Sequence, residues 1–346
     1  NCIGCKHCIY CSNLNQKEYY IFNQPSTKEQ YEEITKSFGS HSFLMDKKNK
    51  FQEFRLGFPN KYLKGFQYEN CSGNFLVNCK DAEICFDSMN LWTAKYCTQV
   101  FIQGKDCMDT HECGECELLY ECNNSGYNAY NMKFCVHCMN QISDLEYCNL
   151  CFSSSHLLGC IGLKRNKYCI FNKQYTEEGF YAMRDRIMDH MKQTGEWGEY
   201  FPIEMSSFPY NLSAAQEWYP LTKEEAVSKG YKWRDPDKKE YKKSNYETPD
   251  DIKEVPKTIT QKTLACADCG RNYKIIEPEY LFYIKKNLPI PRKCFHCRHN
   301  DRFKLRPGRK LFDRTCGKCG TEILTAYSPE MPDIVYCEKC YMESLD

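Results

Sequence analysis

The chain predicts a mainly β fold: a cysteine-rich β-solenoid with helical caps, followed by two small zinc-ribbon-like modules at the carboxyl end. Three observations carry this. Between Cys71 and Cys169 lie 14 of the 26 cysteines, and Cys79, Cys97, Cys116, Cys135, Cys151 and Cys169 follow one another at 18, 19, 19, 16 and 18 residues. A period near 20 residues marks stacked units that share one core. An internal repeat matches Leu14–Tyr31 to Leu163–Phe180 at an offset of 149 residues, with Tyr19/Tyr168, Ile21/Ile170, Phe22/Phe171, Asn23/Asn172 and Thr27/Thr176 coinciding. The last eight cysteines stand in four C-x2-C pairs.

Within 346 residues there is room for two or three domains. A content of 42% hydrophobic and 27% charged residues excludes a disordered chain. The net charge of +1 points to no partner, so any basic surface must be local. No apolar run reaches the roughly 18–20 residues of a membrane span, and no membrane partner is expected. Asn1 is not a natural start, so a fragment or processed form is expected. Cysteines in C-x2-C pairs point to zinc and to a reducing, cytoplasmic setting rather than to disulfides.

The amino-terminal Cys2, Cys5, Cys8 and Cys11 run as C-x2-C-x2-C-x2-C. An iron–sulfur run would end in C-x3-C-P, and Ser12 stands where the proline belongs. A rung of the solenoid is the simpler reading, since Cys2 and Cys11 map onto Cys151 and Cys160 in the repeat. A solenoid axis favours small apolar side chains, and free cysteine is one of them. Pairs such as Cys135/Cys138 and Cys148/Cys151 face the same way only if the chain turns a corner between them. That fits a polygonal coil and also a metal knuckle. A core role leads, with metal ligation and a disulfide ladder as alternatives.

Each copy of the repeat leads into a helix. Thr27 is an N-cap with Gln30 completing a capping box; Tyr31, Ile34 and Phe38 form a stripe, and Gly39 ends it. Thr176 caps the second helix, with Phe180, Met183, Ile187 and Met191 on one face and Gly195 as its stop. These stripes are expected to pack on the solenoid ends. The predicted organisation is therefore a solenoid with capping helices over 1–195, then an aromatic wrapping arm with a short helix at 223–229 over 196–233. A polar, proline-punctuated linker over 234–262 precedes the first zinc ribbon at 263–300 and the second at 301–346.

Cys266, Cys269, Cys294 and Cys297 form one predicted zinc site, and Cys316, Cys319, Cys337 and Cys340 the other. Four thiolates satisfy tetrahedral Zn2+ and leave no open position, so both sites are expected to be structural. Pro278 is expected to open a helix with Leu281, Phe282 and Ile284. Thr321, Ile323, Thr325 and Tyr327 alternate like a strand, and Ile334–Tyr336 is expected to return beside it as a ribbon hairpin. Between the sites, residues 298–314 carry Arg298, Arg302, Lys304, Arg306, Arg309, Lys310 and Arg314 against Asp301 and Asp313, a local charge of +5. With Phe303 and Phe312 interleaved, this stretch suits phosphate contacts and base stacking.

The segment from Cys266 to Arg298 resembles a family described as a probable zinc-ribbon domain. Its pattern is C-x2-C-G, then a Glu and an aromatic pair, then Leu-Pro-x-Pro-x-x-C-x2-C-R, filled here by Glu279, Phe282, Tyr283, Leu288, Pro289, Pro291 and Arg298. The whole chain is similar to long cysteine-rich proteins of ultra-small bacteria that share the YIFN or CIFN exits and the TGEWGEYFP and VYCEKCY stretches. The resemblance implies zinc binding and a longer natural amino terminus, and it brings no activity or substrate.

The expected function is a non-enzymatic zinc-binding scaffold. It would dock nucleic acid or a ribonucleoprotein through 298–314 and a protein partner on the solenoid face. No HExxH, nucleophile elbow or phosphate loop is present. The alternative is a cysteine-based metal-handling, iron–sulfur or redox protein.

Overall fold

From Phe75 to Gln99 every third residue turns the backbone into the left-handed region, with φ between 51 and 59° at Phe75, Asn78, Asp81, Ile84, Asp87, Asn90, Thr93, Tyr96 and Gln99. Each is a corner, and the residue after it points inward: Leu76, Cys79, Ala82, Cys85, Ser88, Leu91, Ala94, Cys97 and Val100 are all buried. Left-handed backbone disfavours L-residues, Asn and Asp least, and four of these nine corners are Asn or Asp. The computed structural model describes residues 2–111, 116–123, 128–235, 240–244 and 246–345. Cys113 lies outside them, and of Cys116 only the backbone is described.

The corners wind the chain into a β-solenoid. Eight successive parallel pairings run from Gly65–Glu69 to Lys167–Ile170. The coil is shorter than the cysteine spacing predicts. Gly73 pairs with Cys85 and Ser143 with Ser155, 12 residues on, while Leu91 pairs with Gly104, 13 on. Twelve residues are four triplets, a four-sided coil. Eighteen are six triplets, one and a half coils, so Cys79 and Cys116 share one column while Cys97 and Cys135 stand opposite.

The corners also explain the choice of cysteine. Carbonyls two residues before the inward positions already accept a ladder N–H, as Glu83, Lys133 and Glu146 O do from Tyr96, Tyr147 and Gly159 N, and a carbonyl's second lone pair can take a side-chain donor as well. Cys79, Cys85, Cys135 and Cys148 Sγ donate to Val77, Glu83, Lys133 and Glu146 O, each at 3.3 Å. Ser88, Ser154 and Thr110 make the same bond at 2.9, 2.9 and 3.0 Å. A thiol is a weak donor that otherwise packs as an apolar group, so it serves a dry axis better than a hydroxyl.

The internal repeat is a repeated exit. Phe22 and Asn23, and likewise Phe171 and Asn172, hold positive φ at both positions. Each pair makes a two-residue hairpin turn, folding Gln24–Pro25 and Lys173–Gln174 antiparallel onto the last strand. Asn23 brackets the backbone of Ser12 with bonds of 2.9 and 2.8 Å, and Asn172 does the same at Ile161 at 2.9 Å in both directions. The amide thus continues the ladder one step beyond the last coil. The end is closed by this hairpin rather than by a helix. Thr27 and Gln30 form the expected capping box of Lys28–Lys36, Thr176 caps Glu177–Thr194, and Gly195 ends it at φ 76°. The second helix lies along the flank, with Phe180 and Met188 against Leu158 and Ile170.

In the segment after this helix, Trp197 and Tyr200 lie 6.2 and 6.5 Å from the Phe134 ring, and Phe201 lies 5.9 Å from Tyr147. Thr222 and Glu225 box the short helix Lys223–Ser228. The second half of the segment read as a linker is packed instead. Ile252, Val255 and Ile259 join Leu264, Ile275 and Ile290 in the core of the first cysteine module, and Asp250 accepts from Ser42 N at 2.9 Å at the start of helix His41–Arg55. Three spaced apolar residues in a charged stretch are too few to show a period.

Gly73 joins the first two long coils at φ 135°, where a Cβ would lie 1.7 Å from the Cys85 carbonyl oxygen. Gly73→Ala is expected to cost about 3 kcal/mol or more, combining backbone strain with overpacking. A denaturation midpoint equal to wild type would refute this account of the junction.

Candidate metal centres

Both carboxyl-terminal modules are built to one plan. The first knuckle is a tight turn closed by Gly270 N donating to Cys266 O at 3.0 Å, and by Gly320 N donating to Cys316 O at 2.9 Å. Gly270 and Gly320 take φ of 69 and 75°, which glycine adopts without strain. The second knuckle opens a helix: Cys294 and Cys337 are the N-caps of Phe295–Phe303 and Glu338–Met342. Helix starts leave backbone N–H groups free to face a thiolate.

This brings Cys266, Cys269, Cys294 and Cys297 together, and separately Cys316, Cys319, Cys337 and Cys340. In each set all four sulfurs lie within 4.8 Å of one another. The Sγ atoms of Cys269 and Cys294, and of Cys319 and Cys337, are 3.8 Å apart. Burial works to raise the Cys266 and Cys316 thiols, but N–H groups of the knuckle backbone aimed at the sulfur bring both down to about 6. Four thiolates at these distances fit a tetrahedral d10 ion such as Zn2+ and offer no fifth ligand. His299 faces Glu217 at 3.2 Å and, like His296, is in neither set.

The second module differs from the expected hairpin. Glu322–Thr325 pairs with Phe312–Thr315, before its first knuckle, while Val335–Tyr336 runs parallel to Asn60–Lys61 at the start of the main solenoid. Thr325 Oγ1 donates to Tyr62 O at 2.6 Å, Lys61 pairs with Glu338 at 2.7 Å, and Arg55 pairs with Asp333 at 3.0 Å. The module is therefore a clamp on the first coil. In the first module Pro278 does open a helix, Glu277–Lys286, but its inward residue is Tyr280, whose hydroxyl donates to Val255 O at 3.0 Å; Leu281, Phe282 and Ile284 face out.

The basic segment is divided. Arg309 is buried, pairs with Asp87 of the solenoid at 2.9 Å and lies 3.5 Å from the Trp218 ring centre. Arg306 also pairs with Asp87 and lies over Phe75 and Trp218. Arg298 donates to Tyr283 Oη at 3.1 Å and pairs with Glu279, and Arg314 donates to the Ser328 and Asp333 carbonyls. Arg302, Lys304 and Lys310 are exposed. Phe303 is turned against Trp218 at 4.7 Å. Asp87 and Trp218, the partners of the arginines, carry no signal in the sequence.

The ladder thiols lie elsewhere, along the solenoid axis. Burial pushes the Cys79 and Cys107 thiols up, and the thiols of Cys5, Cys8 and Cys11 donate to Leu14, Lys17 and Tyr20 O in the next coil at 3.4, 3.6 and 3.4 Å. Among the described residues no helix is long and apolar enough to cross a membrane. No family model and no curated protein matches the chain.

Proposed function

We propose that the protein is a non-enzymatic zinc-binding scaffold that docks nucleic acid or a ribonucleoprotein through the exposed part of segment 298–314. The closure of both tetracysteine clusters carries this reading. With four sulfurs within 4.8 Å, a bound Zn2+ organises its knuckles and has no position left for a substrate or an activated water. The phosphate contacts fall to Arg302, Lys304 and Lys310, because Arg306 and Arg309 are spent on Asp87.

The metal-handling and redox alternative has its best support in Cys135, Cys138, Cys148 and Cys151, whose side chains contact one another across two coils. Among the described residues, however, four metal-ligating atoms come within 4.8 Å only in the two carboxyl-terminal sets. A thiolate would also lose the bond its proton makes to a carbonyl.

Elemental analysis of the purified, reduced protein should find two zinc and no iron. Titration with labelled RNA and DNA should find binding that weakens with salt. Arg302→Glu/Lys304→Glu/Lys310→Glu should weaken it and flatten the salt slope by about 0.7–0.9 per lost phosphate contact. Stoichiometric iron, or no binding to either nucleic acid, would overturn the reading.

A further inference from the structure

Helix Phe295–Phe303 carries an aromatic stripe that starts before the basic segment and runs into it. Phe295, His299 and Phe303 stand at i, i+4 and i+8 on one face. The rings are in series: Phe295 to His299 6.1 Å with planes 21° apart, His299 to Phe303 5.9 Å at 34°, and Phe303 to Trp218 4.7 Å. The half-buried end of the series is fixed by Trp218. At the free end Phe295 is 61% exposed, although a large ring in a module this small gains most by burial. Exposed cations follow on the same helix: Arg302 stands at i+3 from His299 and i+7 from Phe295, on their side, and Lys304 is the helix C-cap. The acidic group at the stripe is Glu217, which faces His299 at 3.2 Å; Asp301 lies on the opposite side of the helix, where Lys293 pairs with it at 2.8 Å.

We infer that this face, led by Phe295 and His299, is a stacking platform for the unpaired bases of single-stranded nucleic acid. Cations beside a stepped series of rings hold a strand by its backbone while its bases stack. A duplex keeps its bases stacked on one another and offers such rings nothing but phosphate, and few phosphate contacts are available here. The inference rests on the nucleic-acid reading above and narrows it to single strands.

The test uses the full chain and fluorescein-labelled oligouridylate, oligodeoxythymidylate and a duplex, each of about 12 nucleotides, within the usual span of single-strand sites. Single strands should bind at least about tenfold more tightly than the duplex. Phe295→Ala should weaken single-strand binding about tenfold, with the salt slope and zinc content unchanged, and Phe295→Tyr should retain it. Glu217→Gln should tighten binding by removing a charge that repels phosphate. Equal affinity for the duplex, or an unaltered Phe295→Ala alongside a weakened charge-reversal triple, would overturn the stacking inference and leave the basic surface standing. Failure of every probe to bind would remove both.

Discussion

Cys316→Ser is expected to cost the protein one metal ion and to melt more than the module that binds it. Apparent binding free energies of structural zinc run to about 10–16 kcal/mol in small modules, and that energy is folding energy. Without it the cluster of Ile323, Tyr327 and Val335 is too small to hold the module together. The module's strand Val335–Tyr336 covers the solenoid's first turn, with Asn60 N donating to Ile334 O at 2.8 Å and Tyr62 N to Tyr336 O at 2.9 Å. Losing it exposes those donors and uncovers Leu63, now fully buried. Hydrogen exchange should therefore accelerate at least about a hundredfold at Asn60 and Tyr62, a loss of some 2.7 kcal/mol of local protection. Cys266→Ser should instead loosen the first module and the 250–262 segment and leave Tyr62 protected. Full protection of Asn60 and Tyr62 in apo Cys316→Ser would show that the clamp is decorative.

Asp87→Asn is the second large effect, expected at about 3 kcal/mol. Asparagine tolerates the left-handed corner at Asp87, where φ is 55°, so the loss reports charge rather than backbone. The substitution leaves the Arg309 side chain, 4% exposed, without its carboxylate, and removing one partner of a buried pair is costly, about 3–5 kcal/mol. Replacing the arginine as well, in Asp87→Asn/Arg309→Met, should recover part of the loss, since an apolar side chain suits the Trp218 ring. A double-mutant cycle measures the coupling. Additive losses would mean that Asp87 and Arg309 act separately.

Features fixed by short-range chemistry were legible in the sequence. Thr27 with Gln30 and Thr222 with Glu225 are capping boxes because hydroxyl and carboxamide or carboxylate lie one turn apart. The four C-x2-C knuckles and the Phe-Asn exits are equally local. The inward cysteine pairs demanded corners, and the corners exist. The aromatic stripe at Phe295, His299 and Phe303 has helical spacing too, but the same spacing serves equally well for a packed helix face, and only the exposure of Phe295 separates the two.

By itself, then, the sequence determined that this protein coils around a cysteine axis and ends in two four-sulfur modules. Inward positions and knuckles are chosen residue by residue, by size and by donor capacity. Only the tertiary structure decided the coil length, because Cys, Ala, Leu and Ser are interchangeable on the axis and the cysteines alone sample one and a half turns. Only it decided that Val335–Tyr336 pairs with Asn60–Lys61, and that Arg309 meets Asp87 across 222 residues of chain. A strand edge or a guanidinium declares what kind of partner it needs. Which partner it finds depends on the distance that folding closes between them.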